Sequence, residues 1–156
     1  MEASMKKSLI FAALITVAGS ALAQDTAIRV KPEQLTWKDN PTIPKGGQAA
    51  TLLGDPTKAG GVVVTRVKFP ANYKIPPHTH SYAEVVTVIS GSVGFGTGDK
   101  FDTSKGELLK AGGVNVVPAK EPHFAWTGNE EGIVQVQFVG PGGIDYINPA
   151  DDPRKK

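Results

Sequence analysis

Hydrophobic residues between positions 35 and 139 occur in short runs that are rich in valine and separated by glycine, proline and other turn residues. These runs predict β-strands at residues 35–37, 49–53, 62–69, 84–90, 92–95, 114–117, 123–126 and 133–139. Between the runs no helical period lasts more than a turn or two, and the chain has 18 glycines and 12 prolines. The pattern predicts an all-β sandwich or barrel.

The run "IVQVQFV" at residues 133–139 alternates hydrophobic and polar positions. Successive residues of a strand point to opposite faces, so Gln135 and Gln137 share one face and Val134, Val136 and Phe138 share the other. Glutamines that faced the interior would orient a ligand or a metal-bound water, whereas outward-facing glutamines would be solvated. The sequence leaves both orientations open.

The N-terminus reads "MEASMKKSLIFAALITVAGSALAQ", with a basic start, a short apolar stretch and an Ala-x-Ala site ending at Ala23. This order predicts a secretory signal peptide at residues 1–23, followed by one domain at residues 24–156. The apolar stretch is shorter than the ~20 residues that cross a bilayer, so we expect no stable membrane insertion after cleavage. The predicted location is periplasmic or secreted, and either Met1 or Met5 is the native start.

Composition removes several classes of function. The chain has no cysteine, which excludes thiol catalysis and thiolate zinc sites. Its net charge is +2 with acidic and basic residues interspersed, so no basic stripe indicates nucleic-acid binding. The glycine-rich stretch "GSVGFGTGDK" does not lead into a helix that could face a phosphate, and we interpret it as a tight hairpin.

The chain contains 3 histidines, and all of them lie in two distinctive segments. "IPPHTHSYAEVV" places His78, His80 and Glu84 at even spacing, so the three side chains share a face if one unbulged strand carries them. His123 lies in the second segment, "VVPAKEPHFAW". Imidazole suits Zn, Cu, Fe and Ni, and carboxylate suits harder ions such as Mn, so this set indicates a mixed N/O metal site.

The first of these segments resembles a signature motif of the cupin superfamily, G-x5-H-x-H-x3,4-E-x6-G. The match runs from Asn72 through His78, His80 and Glu84 to Gly91, and every spacing agrees. Asn72 stands where the motif has glycine, a mild change because asparagine tolerates the left-handed backbone region better than most residues.

The second segment resembles the other cupin motif, G-x5-P-x-G-x2-H-x3-N. The match runs from Gly112 through Pro118 to His123. Lys120 replaces the second glycine and Thr127 replaces the asparagine, so the turn before His123 and the strand after it are expected to differ in shape. None of the departures falls on a metal ligand of the family.

The resemblance implies a double-stranded β-helix, or jelly-roll barrel, and is strongest for small single-domain exported cupins such as the ChrR-type cupin domain. It implies that His78, His80, Glu84 and His123 hold one divalent ion, with Mn, Fe, Ni, Cu and Zn all acceptable. Cupin sites of this kind support oxygen insertion, decarboxylation and isomerisation. The expected partner is a small-molecule ligand or substrate, and a homodimer stays open.

Three interpretations of such a site remain. The first is a metal-dependent oxidoreductase, dioxygenase-like, or a related enzyme acting on a small oxygen-bearing molecule. The second is a sensor or binding module that holds metal and ligand without turnover, and the third uses the ion only to stabilise a small barrel without disulfides. Tyr82 is a candidate proton donor, although packing at the rim is the simpler role for it. Phe124 and Trp126 suggest packing between sheets or subunits.

Overall fold

The computed structural model describes residues 27–156, so the predicted signal peptide lies outside the described residues. None of the helices in residues 27–156 is long and apolar enough to cross a membrane. The strands are β1 (Lys38–Asp39), β2 (Gln48–Leu53), β3 (Val62–Phe69), β4 (Lys74–Thr79), β5 (Glu84–Ser90), β6 (Ser92–Thr97), β7 (Gly106–Lys110), β8 (Val114–Val117), β9 (His123–Thr127), β10 (Gly132–Val139) and β11 (Asp145–Tyr146). Short 3₁₀ turns occur at Pro32–Gln34, Thr103–Lys105, Pro149–Asp151 and Pro153–Lys155.

The strands form two antiparallel sheets that face each other. One sheet is six-stranded with the order β1-β2-β3-β10-β5-β8, and the other is five-stranded with the order β11-β4-β9-β6-β7. Consecutive strands repeatedly change sheet, as β4 to β5 and β5 to β6 do, and this is the connectivity of a jelly roll. The all-β fold predicted from the sequence is therefore confirmed.

The hydrophobic core lies between the sheets and uses alternate residues of each strand. Val86 and Val88 on β5 face Ala125 on β9, and Val134 on β10 completes this layer. Each of these residues is nearly inaccessible to water. Burial of apolar side chains such as these stabilises a small domain.

The orientation of β10 resolves the alternative left open for its glutamines. Val134 and Phe138 are buried on the inner face, whereas Gln137 is exposed and Gln135 accepts a hydrogen bond from Nε of Arg66 on the outer face, at 3.4 Å. The glutamines therefore point away from the interior and contact no ligand there.

Strand β4 was missed by the sequence interpretation, although it carries His78. Its sequence "KIPPHT" contains Pro76 and Pro77, which depress strand propensity because proline cannot donate to a sheet ladder. The structure accommodates them where the pairing of β4 with β9 shifts register, between Ile75 and His78. Strands β7 and β11 were also missed, and the strand expected at residues 35–37 is wrong, since the first pairing begins at Lys38.

The glycine-rich stretch is not itself a tight hairpin: it begins at a sheet corner, continues as β6 and ends in the connection to β7, the antiparallel neighbour of β6. Gly91 has φ +66° and joins β5 in one sheet to β6 in the other. Gly94 and Gly96 lie within β6, where a Cβ would come within 2.1 Å of Trp126 and 2.2 Å of Phe124. Phe124 and Trp126 therefore pack on the outer face of the five-stranded sheet, under Phe101, rather than between the sheets.

Candidate metal centre

Three elements bring the predicted site residues together at one end of the sandwich. His78 is near the end of β4, His80 lies in the turn that follows, Glu84 is the first residue of β5, and His123 is the first residue of β9. His78 and His123 are directly paired across the β4–β9 ladder. The condition under which one strand face would carry all three side chains is not met, because the chain leaves one sheet after Thr79 and enters the other at Glu84.

Each histidine is oriented by a backbone carbonyl on the side away from the cluster. Nδ1 of His78 lies 2.7 Å from the Pro76 oxygen, and Nδ1 of His123 lies 2.8 Å from the Glu121 oxygen. Nδ1 of His80 contacts the carbonyl oxygen of Gly143. A carbonyl only accepts, so each Nδ1 carries the proton and each Nε2 presents a lone pair.

The three histidines lie close together, and the Nε2 atoms of His80 and His123 face Glu84. Nε2 of His123 lies 3.5 Å from Oε1 of Glu84, and Nε2 of His80 lies 3.7 Å from Oε2. One nitrogen from each of the three histidines lies within 4.8 Å of the others, so the group could hold a metal ion. Nε2 of His123 is buried with no hydrogen-bond partner, an arrangement that costs free energy unless something binds there.

Burial favours the neutral form of the His78 and His80 imidazoles. It lowers the pKa of His78 well below the usual value, and the nearby His123 lowers it further. Burial also lowers the pKa of His80, although Glu84 acts in the opposite direction. Since a metal binds only the neutral imidazole, burial prepares both residues for coordination at neutral pH.

The departures from the cupin motifs are absorbed by the backbone. Asn72 and Lys120 both have positive φ, +57° and +65°, which explains why glycine is usual at these positions. Lys120 still donates its backbone N–H to the His80 carbonyl at 2.8 Å. The hydroxyl of Thr127 accepts from the Tyr73 backbone at 2.9 Å and donates to the Pro70 carbonyl at 2.6 Å, so it ties β9 to the turn before β4.

Tyr82 contacts His80 on the Nδ1 side of the imidazole ring. Its hydroxyl lies 3.2 Å from Nδ1 of His80 and 3.2 Å from the Gly143 oxygen, on the side opposite Nε2. The ring stacks on Phe138 at a centroid distance of 4.4 Å, and burial raises the pKa of Tyr82 to about 12. This geometry favours a packing role over proton donation toward the Nε2 side of His80.

A cavity of about 770 Å³ opens from the histidine cluster between the two sheets. Its walls are mainly inward-facing apolar residues of β3, β5 and β10, and its mouth is formed by residues 36, 38–43, 56–57 and 142–144. Two tyrosines hold the mouth in place: Tyr146 donates to the Thr42 carbonyl at 2.9 Å, and the Tyr73 hydroxyl contacts the Pro44 carbonyl. The sequence contained no signal for Gly143 or for these mouth contacts, since they join distant segments.

The chain belongs to the cupin family. The family model described as "Cupin" matches residues 35–141, which include both motifs and all four site residues. No curated protein matches the chain by sequence.

Solved structures with similar folds include several enzymes. The polyketide cyclase RemF from Streptomyces resistomycificus has TM-score 0.66 and 21% identity, covering 83% of this chain and 92% of that chain. An oxalate oxidase has TM-score 0.56 and 25% identity, covering 76% of this chain and 62% of that chain. The DMSP lyase DddQ from Ruegeria pomeroyi DSS-3 has TM-score 0.55 and 18% identity, covering 69% and 57%. The chain spans less than two thirds of the latter two, and the resemblance to the cyclase and the lyase concerns the fold.

Proposed function

We propose that this cupin binds one divalent metal ion through His78, His80, Glu84 and His123 and uses it to act on a small oxygen-bearing molecule. The reaction class that fits best is metal-dependent oxidoreductase or related carbon chemistry. The observation that carries the metal site is the buried Nε2 of His123, which faces Glu84 and has no hydrogen-bond partner.

The donor set fits such an ion. Three neutral imidazoles and one carboxylate suit Mn, Fe, Ni, Cu or Zn. Each histidine has its other nitrogen fixed by a carbonyl, an outer contact that typically orients the ring and raises the basicity of the ligand nitrogen. A bound divalent ion would act there as a Lewis acid toward a substrate oxygen.

The protein's own residues would position the substrate and exclude water from it. The cavity opens directly onto His80, Glu84 and His123, so a molecule inside it would meet the Nε2 side of the histidines. Glu84 is buried between His80 and His123, and its carboxylate is the group best placed to accept a proton from a bound hydroxyl. The similar folds that perform enzymatic reactions, such as oxalate oxidase, support this role by analogy.

The second candidate is a non-catalytic metal- and ligand-binding module. It is favoured by the position of Tyr82, whose hydroxyl faces Nδ1 of His80 and the Gly143 carbonyl rather than the Nε2 side of that ring. Without Tyr82, Glu84 is the acid–base group that remains beside the histidines in the described cavity wall. Metal-dependent turnover in a screen of oxygen-bearing compounds would favour the enzyme, and binding without turnover would favour the module.

Metal binding is tested by loading the purified protein and measuring metal content and melting temperature. His80→Ala should abolish the metal-induced rise in melting temperature while the metal-free protein stays folded. Arg66→Ala is the control, because Arg66 lies on the outer face of β3 and contacts Gln135. A His80 variant that keeps its full complement of tightly bound metal would overturn the proposed site.

We also propose that the protein is exported and processed after Ala23, on the basis of the basic start, apolar run and Ala-x-Ala site. Mass spectrometry of the protein from its native cell should find Gln24, or its cyclised form, at the N-terminus. An N-terminus at Met1 or Met5 would contradict export.

A further inference from the structure

We propose that the substrate of this metal centre has an apolar body and binds through an oxygen head group of single negative charge, such as a phenolate or an enolate. The inference rests on the proposed metal site and adds the chemical class of molecule that the cavity accepts. It follows from the cavity walls and from the count of charges around them.

The wall next to the metal site is apolar over consecutive rows of the six-stranded sheet. Glu84 begins the inner face of β5, and Val86 follows it on that face and lines the cavity. Val86 is paired with Val136 of β10, and these two residues form the first row. The second row contains Val134 of β10 and its partner on β3, Val67. These rows bind a hydrocarbon surface by the same apolar burial that stabilises the core.

Two of the threonines that line the cavity are engaged with the protein, and a third, Thr51 of β2, is exposed beside Thr65. Thr65, which is paired with Val136, donates its hydroxyl to the Ala50 carbonyl at 3.3 Å. Thr42 at the mouth donates its hydroxyl to the Asn40 side chain at 2.8 Å. A polar substrate body would therefore find few free hydrogen-bond partners along the valine-lined wall to replace its hydrogen bonds to water.

Positive charge is scarce in the cavity. Among residues 27–156, Lys38 is the only lysine or arginine that lines it, and Lys38 is exposed at the mouth beside Asp39. A dianion at the metal centre would therefore find no second cation within the apolar part of the wall.

The charge of the metal centre selects a monoanion. A divalent ion with one carboxylate and neutral imidazoles leaves about one unit of positive charge. A phenolate or enolate that binds as the anion, with Glu84 ionised, neutralises that charge, whereas a dianion such as oxalate leaves an unpaired negative charge in an apolar cavity, which is costly. A singly charged head group is therefore favoured, because it brings the net charge of the metal centre to zero.

The test uses protein loaded with Co²⁺ and follows its visible spectrum during titration with acetohydroxamate, octanohydroxamate or oxalate. The two hydroxamates share a singly charged two-oxygen head group and differ only in the apolar chain. Each affinity is divided by the affinity of the same compound for free Co²⁺ in water. Octanohydroxamate should bind at least about tenfold more tightly than acetohydroxamate, and oxalate should bind more weakly than both.

Val136→Lys tests the wall, and Gln137→Lys is its matched control. Val136 lines the cavity, whereas Gln137 is the next residue on the same strand and is exposed on the outer face. The Val136 variant should lose the advantage of the long chain and gain affinity for oxalate, and the Gln137 variant should keep the original order. Val136→Asn, with folding checked by circular dichroism, serves if the lysine variant does not fold, and it too should lose the long-chain advantage.

The outcomes separate the two proposals. If Co²⁺ binds at about one ion per chain but oxalate binds as well as octanohydroxamate, the substrate class is wrong and the metal site stands. Unchanged selectivity in folded Val136 variants would likewise overturn the substrate class. If no Co²⁺ binds, the proposed function falls and this inference falls with it.

Discussion

The two faces of strand β9 have opposite effects on the stability of the fold. On the inner face, His123 is buried beside Glu84 and has an unpartnered nitrogen. On the outer face, Phe124 is fully buried between Gly96 of β6 and the ring of Phe101, and the centroids of the two rings lie 4.9 Å apart. The inner face retains desolvated polar groups that lower stability, whereas the outer face supplies close aromatic packing.

The difference shows how a small sandwich without disulfides accommodates a polar site in its interior. A cavity and buried imidazoles replace packed side chains at one end of the core. The aromatic cluster of Phe101, Phe124 and Trp126 adds a second packed layer outside the five-stranded sheet. Gly94 and Gly96 make that layer possible, because any Cβ there would occupy the space of the rings.

The largest effect is expected from Phe124→Ala. Removing a fully buried aromatic ring should lower the free energy of unfolding by about 3–5 kcal/mol, measured by urea denaturation. Metal stoichiometry at low temperature should not change, because the ring lies on the face of β9 opposite His123. Val116→Ala is the control, since Val116 is 63% exposed, and its effect should be small. Loss of metal from folded Phe124→Ala would show that the two faces are not independent.

The neighbouring variant, His123→Ala, should give the reverse pattern. The metal-free protein should lose less than about 2 kcal/mol, because the substitution also removes an unpartnered buried nitrogen. Metal at a hundredfold excess over its dissociation constant should stabilise the wild-type protein by about 2.7 kcal/mol, and this gain should be absent from the variant. Calorimetric melting with and without metal measures both quantities, and an equal gain in the two proteins would contradict the assignment of His123 as a ligand.

The inner face should also make the metal-free protein sensitive to acid. The pKa values of His78 and His80 are lowered in the folded state, so between those values and the unfolded value of about 6.5 the unfolded chain binds more protons. Above about pH 6.5 both histidines are neutral in the folded and the unfolded state, so they do not change the free energy of unfolding. As the pH drops below that value, protonation of the unfolded chain lowers the free energy of unfolding by at most about 1.4 kcal/mol per pH unit for each histidine.

Urea unfolding at about pH 7.5 and about pH 5 measures this loss. His78→Asn should have a smaller difference between the two pH values than the wild type, whereas Phe124→Ala should keep the full difference. A wild-type protein whose stability does not change over this range would contradict the lowered pKa values.

The smallest effect is expected at the turn before β9. Lys120 has φ +65°, a conformation that costs a residue with a side chain about 1 kcal/mol relative to glycine. Lys120→Gly should therefore raise the free energy of unfolding by up to about that amount while metal affinity stays the same. The change is measured by urea denaturation, and a loss of stability would show that the lysine side chain makes a compensating contact.

Motif spacing was the most informative part of the sequence. The spacing of residues 72–91 places His78, His80 and Glu84 within a short stretch of strand, turn and strand. The resemblance of residues 112–127 to the second cupin motif added His123, which the pairing of β4 with β9 brings beside His78. The positive φ of Asn72 agrees with the tolerance of asparagine for the left-handed region, whereas Lys120 was expected to change the shape of its turn and instead adopts the positive φ that glycine favours. The class of fold followed from valine-rich runs bounded by glycine and proline.

Only the tertiary structure decided which face of each strand is covered and what supports the site from a distance. Alternation in β10 is the same whether Gln135 faces in or out, and the choice depends on which side the second sheet packs against. Pro76 and Pro77 made β4 unrecognisable as a strand from the sequence. The register shift that accommodates these prolines is a feature of the pairing with β9, which the local sequence does not encode. The carbonyl of Gly143 orients His80 from a separate segment, and no local pattern encodes a contact that depends on how the chain closes around its core.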